Sequence, residues 1–381
     1  MTRKVLIVLA LTSALASQIA TAAPAPRLAR FIVTLRDSVA DPAAVARQHT
    51  ALQGARVHHV YSHALKGYTA TLSEAAAASL IGDARVAGIE RDGIMRVETT
   101  QTSATWGIDR IDQANLPLSG TFTYNNTGAG IKIYILDTGI RFTHSQFGGR
   151  ATSGADFIDG GPADDCYGHG THVAGTAAGS TYGVAKAASL VAVRVLGCNG
   201  SGATSGVIAG VDWVTGNHQA GQPAVANMSL GGGASTALDN AVRNSIADGV
   251  SYTLSAGNGN ILGFAANACN YSPARVAEAM TISGSRQNDA KISWANYGNC
   301  VDWFAPGYQI TSAWHTSNTA TNTISGTSMS APHTAGVAAL YLQGNPGASP
   351  AAVRQALFTL TTKGKVTSAN TANNHLLFTN L

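Results

Sequence analysis

Two regions of the chain differ in how apolar and polar residues alternate. Residues 24–98 contain short apolar runs and two helical patterns, which predict a small α+β unit. From residue 106 onward, apolar runs alternate with helical patterns, and this order predicts an α/β unit whose parallel sheet is flanked by helices. Strands are expected near residues 30–35, 67–72, 86–97, 131–136, 189–196, 224–230, 250–255 and 279–283. Helices are expected near residues 42–52, 74–81, 169–178, 204–216, 235–247 and 328–342.

The first 23 residues have the pattern of a secretory signal peptide. Arg3 and Lys4 precede an apolar run at residues 5–16, and small residues follow at 20–23. The alternative is a membrane anchor, but spanning a bilayer takes about 20 apolar residues and this run is shorter. We therefore expect an exported, extracellular protein that keeps no contact with the membrane after the signal is removed.

Composition and charge exclude some classes of function. Hydrophobic residues make up 45% of the 381 residues, enough to fill a sizeable core. Charged residues make up only 12%, about half of the usual 25%. The net charge of +4 arises from residues 1–98, since the rest of the chain has thirteen basic and thirteen acidic residues. A neutral main unit gives no basis for a nucleic-acid partner.

Four cysteines become informative once export is expected, because disulfides persist outside the cytosol. Four cysteines allow three pairings, and sequence alone does not choose among them. A zinc site is the alternative, but the chain has no closely spaced Cys-x-x-Cys pair to support it.

Three separate segments carry candidate catalytic side chains in the order Asp, His, Ser. Asp137 ends an apolar run, His169 opens one helical pattern and Ser328 opens another. The segments are Asp137-Thr138-Gly139, His169-Gly170-Thr171-His172 and Gly326-Thr327-Ser328-Met329, with a fourth motif at Ser255-Ala256-Gly257-Asn258. Together they resemble the subtilase family, within it the proteinase K branch and its aqualysin-like enzymes, over roughly residues 99–381.

The resemblance implies a serine endopeptidase acting through an acyl-enzyme. Ser328 would attack the peptide carbonyl, His169 would transfer the proton and Asp137 would orient the imidazole. The Ser328 N–H and the Asn258 side-chain amide would stabilise the oxyanion. Taken singly, such residues are often only helix or loop caps. Their joint occurrence in one family pattern favours the catalytic interpretation.

Substrate binding is also implied by the resemblance. Two cleft-lining segments would bind an extended polypeptide as an added strand, and a specificity pocket would lie between the second of them and the segment at 256–258. The residues are Gly200, Ser201, Gly202, Ser229, Leu230, Gly231, Ala256 and Gly257. None carries a charge, so we expect a preference for apolar or aromatic acyl-side residues and broad tolerance elsewhere.

Domain organisation follows from the same resemblance. Residues 24–98 are similar to an inhibitor-like propeptide, which in the family assists folding, inhibits the enzyme within the same chain and is cut off by it. The cut is expected near Glu98 and Thr99, leaving a catalytic domain at 99–381. The resemblance also implies disulfides Cys166–Cys198 and Cys269–Cys300, and we expect a monomer.

Structural calcium is a further expectation from the family. Asp302 with the carbonyls of Ala277 and Ala279 resembles one calcium site, and oxygen ligands suit that ion. A second set, Asp109, Asp112 and Gln113, resembles another calcium site of the family. Near it, Ser119 and Thr121 occupy positions where related enzymes can carry stronger ligands. A third acidic cluster, which binds an ion or is a solvated loop, comprises Asp156, Asp159, Asp164 and Asp165.

Other interpretations are weaker. His169 and His172 are three residues apart and could bind a metal, but no third ligand is evident. An α/β-hydrolase would need glycine at Ser330. A binding protein without activity would be expected to lack part of the triad. Between Asn258 and Cys269 the chain is longer than the aqualysin pattern, which predicts a hydrophobic rim on the pocket or simply a longer loop.

Overall fold

The computed structural model describes residues 28–53, 55–93, 99–260 and 262–381. The expected signal peptide at 1–23 and the Glu98 side of the expected processing site lie outside these ranges. The chain divides between residues 96 and 97 into two compact units. Within the described ranges, no helix is both long enough and apolar enough to cross a membrane.

The first unit is a four-stranded antiparallel sheet with two helices. Strand order in the sheet is β2-β3-β1-β4. Its elements are β1 (Leu28–Leu35), α1 (Pro42–Gln53), β2 (Arg56–Tyr61), β3 (Gly67–Ser73), α2 (Glu74–Leu80) and β4 (Val86–Arg91). Its own core includes Val33, Tyr68 and Ala70, all fully buried. The α+β prediction is confirmed, with β2 as an additional strand.

The second unit contains the remaining elements. Its helices are α3 (Trp106–Ile111), α4 (His169–Ala178), α5 (Thr204–Asn217), α6 (Thr236–Asp248), α7 (Thr327–Gly344) and α8 (Pro350–Leu360), with a 3₁₀ turn at Ala268–Asn270. Its strands are β5 (Thr99–Thr102), β6 (Thr121–Tyr124), β7 (Lys132–Asp137), β8 (Ala151–Asp156), β9 (Ser189–Arg194), β10 (Ala224–Met228), β11 (Gly232–Gly233), β12 (Val250–Ser255), β13 (Tyr271–Ser272), β14 (Met280–Ser285), β15 (Trp303–Pro306), β16 (Ile310–Ala313) and β17 (Thr321–Ile324).

A seven-stranded sheet of order β15-β14-β12-β10-β7-β9-β8 forms the centre of this unit. Every pair of neighbouring strands in it is parallel. Side chains alternate between the faces of a strand, so β7 contributes to two cores. Ile133 and Ile135 pack in the cluster that includes α4 and α7, whereas Tyr134 and Leu136 pack with α5 and α6. The predicted parallel sheet flanked by helices is confirmed.

The order of the strands determines where a site can form. β7 is followed along the chain by β8 and β9 on one side of it, whereas β10 pairs with its other side. Ligand sites of open α/β sheets lie at such a reversal, beyond the carboxyl ends of the strands. Asp137 is the last residue of β7, and residues 229–231 directly follow β10.

Helix α7 is buried on all sides and contains Pro332. A proline has no N–H, so it cannot bond to the carbonyl four residues earlier, which here belongs to Ser328. The Ser229 hydroxyl donates to that carbonyl instead, at 2.7 Å. The irregularity in the helix therefore links its first turn to the segment after β10.

Candidate active site

Asp137 and His169 form a hydrogen-bonded pair. Asp137 is fully buried, and its Oδ1 accepts from Nδ1 of His169 at 2.7 Å and from the N–H of Thr138 at 2.8 Å. Because an ionised carboxylate only accepts, the ring proton lies on Nδ1 and Nε2 is left free to take a proton.

The environment of His169 sets its protonation. Burial lowers the pKa of His169, but the charge and hydrogen bond of Asp137, together with the charge of Asp165, outweigh it and leave the pKa above its ordinary value. The cationic ring is thereby stabilised. The side chain remains one-fifth exposed, so it can be reached from the cleft.

Ser328 lies in the first turn of α7. Its Oγ donates to the carbonyl of Ser229 at 3.1 Å. Among the described residues no hydrogen bond joins Ser328 to His169; both residues border the segment 229–231. Catalytic hydrogen bonds are often absent before substrate binds, so this arrangement is compatible with a Ser–His pair.

Two N–H groups lie close to a common point beside Ser328. A Cβ built on Gly326 would lie 3.4 Å from Nδ2 of Asn258 and 3.6 Å from the backbone N of Ser328. The Asn258 amide is oriented by its Oδ1, which accepts from the N–H and the hydroxyl of Thr327 at 2.9 and 3.0 Å. An N–H in the first turn of a helix has no intrahelical partner. The arrangement can therefore stabilise negative charge on an oxygen.

The acidic cluster upstream of His169 neither forms a single ion site nor is uniformly solvated. Asp165 is buried and accepts five hydrogen bonds, including those from the Gly168 and Thr171 N–H groups at 2.8 Å. It anchors the start of α4 and thus the position of His169. Asp156 and Asp159 pair with Arg194, and Asp164 is exposed.

Two cavities border residues 229–231. The Tyr167 cavity, about 350 Å³, is lined by Thr138, Tyr167, His169, Leu196, Gly200, Ser201, Gly202, Ser229, Leu230 and Gly231. The Ala256 cavity, about 340 Å³, is lined by residues 229–233 and 255–259 with Tyr271, Ala274, Asn296 and Ser328. All eight residues expected to bind substrate line one of them. Tyr167, Leu196, Tyr271, Ala274 and Asn296 also line these cavities but were not assigned to the site from the sequence, because none lies in a segment that was given a role there.

The long loop after Asn258 forms a turn that is closed by hydrogen bonds among its own residues. Asn260 N–H donates to the Phe264 carbonyl at 2.8 Å, and Oδ1 of Asn260 accepts from the N–H of Leu262 and of Phe264. Leu262 is 74% exposed and Phe264 68% exposed. Neither side chain lines the Ala256 cavity. A longer loop therefore fits this segment better than a hydrophobic rim on the pocket does. Ile261 lies outside the described residues.

His172 and His333 are structural. Nε2 of His172 bonds to the Ile310 carbonyl at 2.9 Å, and Nδ1 of His333 bonds to the Met329 carbonyl at 2.7 Å. Burial lowers the pKa of His172 to about 3 and that of His333 to about 4, so both stay neutral. A metal site built on His169 and His172 is not supported.

The two expected disulfides, Cys166–Cys198 and Cys269–Cys300, are both present. They use all four cysteines of the chain. The cysteine-based zinc alternative is thereby excluded.

The two expected calcium groups differ in their hydrogen bonding. At Asp302, the carboxylate accepts from Thr281 N–H at 2.7 Å and from Arg354, whose Nε also donates to the Ala279 carbonyl at 3.2 Å. Ala277 is exposed. A guanidinium thus already contacts two of the three expected ligands, and calcium would have to displace it. This group fits the ion poorly.

The group at the start of the second unit fits calcium better. Oδ1 of Asp112 is buried and has no partner among the described residues, whereas Oδ2 accepts from Thr123 N–H at 2.6 Å. Burial and the nearby charge of Asp109 raise the pKa of Asp112 to about 6. Oε1 of Gln113 accepts from the same Ser119 N–H as Asp109. An unpartnered carboxylate oxygen beside a second carboxylate is a suitable ligand set for a divalent cation.

Comparison with known proteins agrees with this geometry. A family model described as "Subtilase family" matches residues 128–376, more than half of the chain. The chain belongs to the subtilase family. A second model, described as "Peptidase inhibitor I9", matches residues 30–98 of this subtilase.

Individual relatives are also proteinases. This subtilase is 55% identical over 327 residues, 86% of the chain and 78% of the relative, to an extracellular serine proteinase of Thermus sp. (strain Rt41A). It is 51% identical over 334 residues to alkaline serine exoprotease A of Vibrio alginolyticus, which is 86% of the chain and 61% of that protein. The crystal structure of a cold-adapted subtilisin-like serine proteinase matches at 52% identity and a TM-score of 0.70, covering 73% of the chain and 98% of that structure. The chain is therefore a serine proteinase that carries an I9 inhibitor domain.

Proposed function

We propose that the protein is a secreted, self-processing endopeptidase whose catalytic triad is Asp137, His169 and Ser328. The observation that carries the proposal is the hydrogen-bonded Asp137–His169 pair placed beside residues 229–231, which also bind Ser328. The identity to an extracellular serine proteinase supports export. The signal peptide is assigned to residues 1–23.

The reaction is acyl transfer to Ser328 and then to water. Ser328 Oγ forms a bond to the peptide carbonyl carbon while Nε2 of His169 takes the hydroxyl proton. The C–N bond then breaks, and His169 returns the proton to the leaving amine. Water then attacks the ester carbonyl carbon of the acyl-enzyme while Nε2 of His169 takes a proton from it. The bond to Ser328 Oγ breaks, His169 returns the proton to that oxygen, and the acyl group leaves as a carboxylic acid. Asn258 Nδ2 and the Ser328 N–H bind the oxyanion, each such donor being worth about 3–4 kcal/mol.

The Ala256 cavity binds the side chain of the residue before the scissile bond. No charged side chain lines it, and Tyr271 and Ala274 add apolar surface. We assign it a preference for apolar or aromatic residues. The polypeptide itself pairs as an extended strand with the segments at 200–202 and 229–231.

The I9 domain is assigned to residues 24–98, and the catalytic domain to 99–381. The match of the I9 model to residues 30–98 supports a propeptide that inhibits the enzyme within the same chain and assists folding. Processing between Glu98 and Thr99 would release a monomeric mature enzyme.

Structural calcium is assigned first to Asp109, Asp112 and Gln113. The unpartnered, buried Oδ1 of Asp112 supports this site. The ion would neutralise two adjacent carboxylates there. At the other expected site, formed by Asp302, Ala277 and Ala279, a calcium ion would compete with the Arg354 guanidinium for the same oxygen atoms.

The test replaces Ser328 by alanine in the full-length precursor. The parent should cut itself near residue 98, as followed by intact mass, and digest an unstructured protein; Ser328→Ala should do neither. Ser330→Ala is the matched control, because Ser330 is a buried serine of the same helix whose hydroxyl bonds to the Ala305 carbonyl. It should retain both activities. Equal behaviour of parent and Ser328→Ala would refute the triad.

A further inference from the structure

The turn after Asn258 carries the two most exposed large apolar side chains in the described part of the second unit. Leu262 is 74% exposed and Phe264 is 68% exposed, whereas the next, Tyr167, is 43% exposed. No residue from 256 to 274 carries a charge. An uncharged stretch with an exposed aromatic residue is the kind of sequence that the proposed specificity favours. A second copy of the enzyme therefore meets, on this turn, the residue type that its own Ala256 cavity binds.

Both ends of the turn are fixed by one side chain. Oδ1 of Asn296 accepts from the Gly259 N–H at 3.0 Å and from the Ala266 N–H at 2.9 Å. The Ala266 carbonyl in turn accepts from the Tyr297 N–H at 3.0 Å. Residues 260–265 lie between these anchors. Because surface loops can open without the core around them, this stretch can leave its place while the rest of the unit stays folded.

Within the turn, Asn260 occupies both backbone groups of Phe264. The Asn260 N–H donates to the Phe264 carbonyl at 2.8 Å, and Oδ1 of Asn260 accepts from the Phe264 N–H at 3.2 Å. The same Oδ1 accepts from the Leu262 N–H at 2.9 Å. A peptide that binds a cleft as an added strand needs its own N–H and carbonyl groups for the enzyme. Phe264 can therefore enter an active site only after Asn260 has released it.

We propose that the Phe264–Ala265 bond is a site of self-cleavage by a second copy of the enzyme, and that the hydrogen bonds of Asn260 protect it. This inference rests on the proposed function. Ser328 Oγ of the second copy forms a bond to the Phe264 carbonyl carbon. The C–N bond to Ala265 then breaks, and the serine proton passes to the new amino group. Water hydrolyses the ester, which restores the serine and leaves Phe264 with a carboxylate.

Cleavage at this bond produces two fragments that no disulfide joins. Cys166–Cys198 lies in the N-terminal fragment, whereas Cys269–Cys300 lies in the C-terminal one. Non-covalent contacts connect the fragments, among them the parallel pairing of β12 with β14. Denaturation without any reductant therefore separates them, and the cut is seen directly as two masses.

The test uses enzyme that is irreversibly blocked with a serine-directed inhibitor as the substrate, and a small amount of active parent as the protease. Intact mass should show fragments that end at Phe264 and begin at Ala265. Blocked Asn260→Ala should be cut there roughly 10-fold faster, because a protease cuts the open form of a loop. That factor corresponds to about 1.4 kcal/mol of lost hydrogen bonding. Blocked Phe264→Ser should be cut there more slowly by roughly 10-fold or more, because serine fills the Ala256 cavity poorly.

Two matched controls should be cut at Phe264–Ala265 at the parental rate. Asn288→Ala changes an exposed asparagine of another turn, whose Oδ1 accepts from the Ala290 N–H at 3.3 Å. Ile158→Ser removes an apolar side chain that is 40% exposed at a distant point of the sequence. The pair separates the effect of this turn from a general loosening of the surface.

Three outcomes would count against these assignments. First cleavage of the second unit at another bond would overturn the inference, and so would equal rates for blocked parent and blocked Asn260→Ala. If the active parent digested an unstructured protein but left the blocked enzyme whole, the inference would fail while the proposed function stood. A parent that digested neither would refute the proposed function itself, and the inference with it.

Discussion

Single residues act on the site through their neighbours. Pro332 lies four residues beyond Ser328, yet its missing N–H leaves the Ser328 carbonyl free for the Ser229 hydroxyl. Ser229 is held in turn by Asn227, whose Nδ2 donates to its Oγ at 2.9 Å. A serine near a helix start is thereby connected to the end of a strand.

The charge of Asp137 should control the pH dependence of activity. Its carboxylate holds the pKa of His169 above its ordinary value, and the reaction needs His169 neutral. The kcat/KM of the parent should therefore rise with pH through a pKa above 6.5. In Asp137→Asn the rising limb should move to lower pH, with kcat reduced by a factor on the order of 10,000.

Asp164→Asn is the control for this experiment, because Asp164 is an exposed carboxylate near the same loop. Its profile should match that of the parent. If Asp137→Asn kept the parental pKa, the Asp137–His169 interaction would not be the cause of the shift.

Residue-scale chemistry was only partly accessible from the sequence. Asp137, His169, Ser328 and Asn258 lie in recognisable motifs, and the structure brings them to one edge of the sheet. Asp165 was assigned to a cluster that binds an ion or is a solvated loop, because all five of its hydrogen bonds come from backbone N–H and hydroxyl groups that only the folded loop brings together. Tyr167 carries no sequence signal of its own, since an exposed tyrosine lines a cavity only through the fold of the chain around it.

At the scale of elements, buried and edge strands differed in how well they were predicted. β7 and β10 are buried along most of their length, and their nearly continuous apolar runs revealed them. β12 is equally buried, and its alternating apolar and hydroxyl residues also predicted a strand. β8, with the sequence Ala-Thr-Ser-Gly-Ala-Asp, is at the sheet edge and has no such run. Helix α8 was also missed, although Ser349 caps it and Pro350 begins it, which are both recognised start signals.

Helix α8 is connected to the sheet by Arg354. Its guanidinium pairs with Asp302, whose side chain is 10% exposed, whereas that of Arg354 is 39% exposed. Arg354→Ala leaves a buried carboxylate without its cation. We expect the free energy of unfolding to fall by about 1–3 kcal/mol, less than for a fully buried pair because solvent screens the arginine. Urea denaturation of enzyme treated with a serine-directed inhibitor measures this.

Two comparisons make this prediction specific. Arg243→Ala is the control, since Arg243 pairs with Glu278 on the surface at 38% and 51% exposure and should change stability little. Added calcium should stabilise Arg354→Ala more than the parent, because the ion can bind Asp302 once the guanidinium is gone. Equal stabilisation of the two proteins would contradict this, because it would show that removing Arg354 does not open a calcium site at Asp302.

At the scale of the whole molecule, the two units differ in the size of their cores and in their disulfides. The second has two large cores and two disulfides. The first has one small core between its helices and four-stranded sheet, and the described part of it contains no disulfide. Units of this size bury a smaller share of their surface and are only marginally stable. A propeptide of low stability can be removed once the enzyme has folded, which fits the role proposed for residues 24–98.

Weakening the core of the first unit should therefore reduce the yield of active enzyme without changing the enzyme itself. Val33 is fully buried on β1, and Val33→Ala should cost about 2 kcal/mol in that unit. Val60→Ala is the control, because Val60 is 41% exposed on β2. Refolding each full-length chain and titrating active sites should give a lower yield for Val33→Ala only, while kcat/KM per active site stays the same. Since the mature chains are identical after processing, a change in kcat/KM would contradict the proposed removal of this unit, and an equal yield would contradict its role in folding.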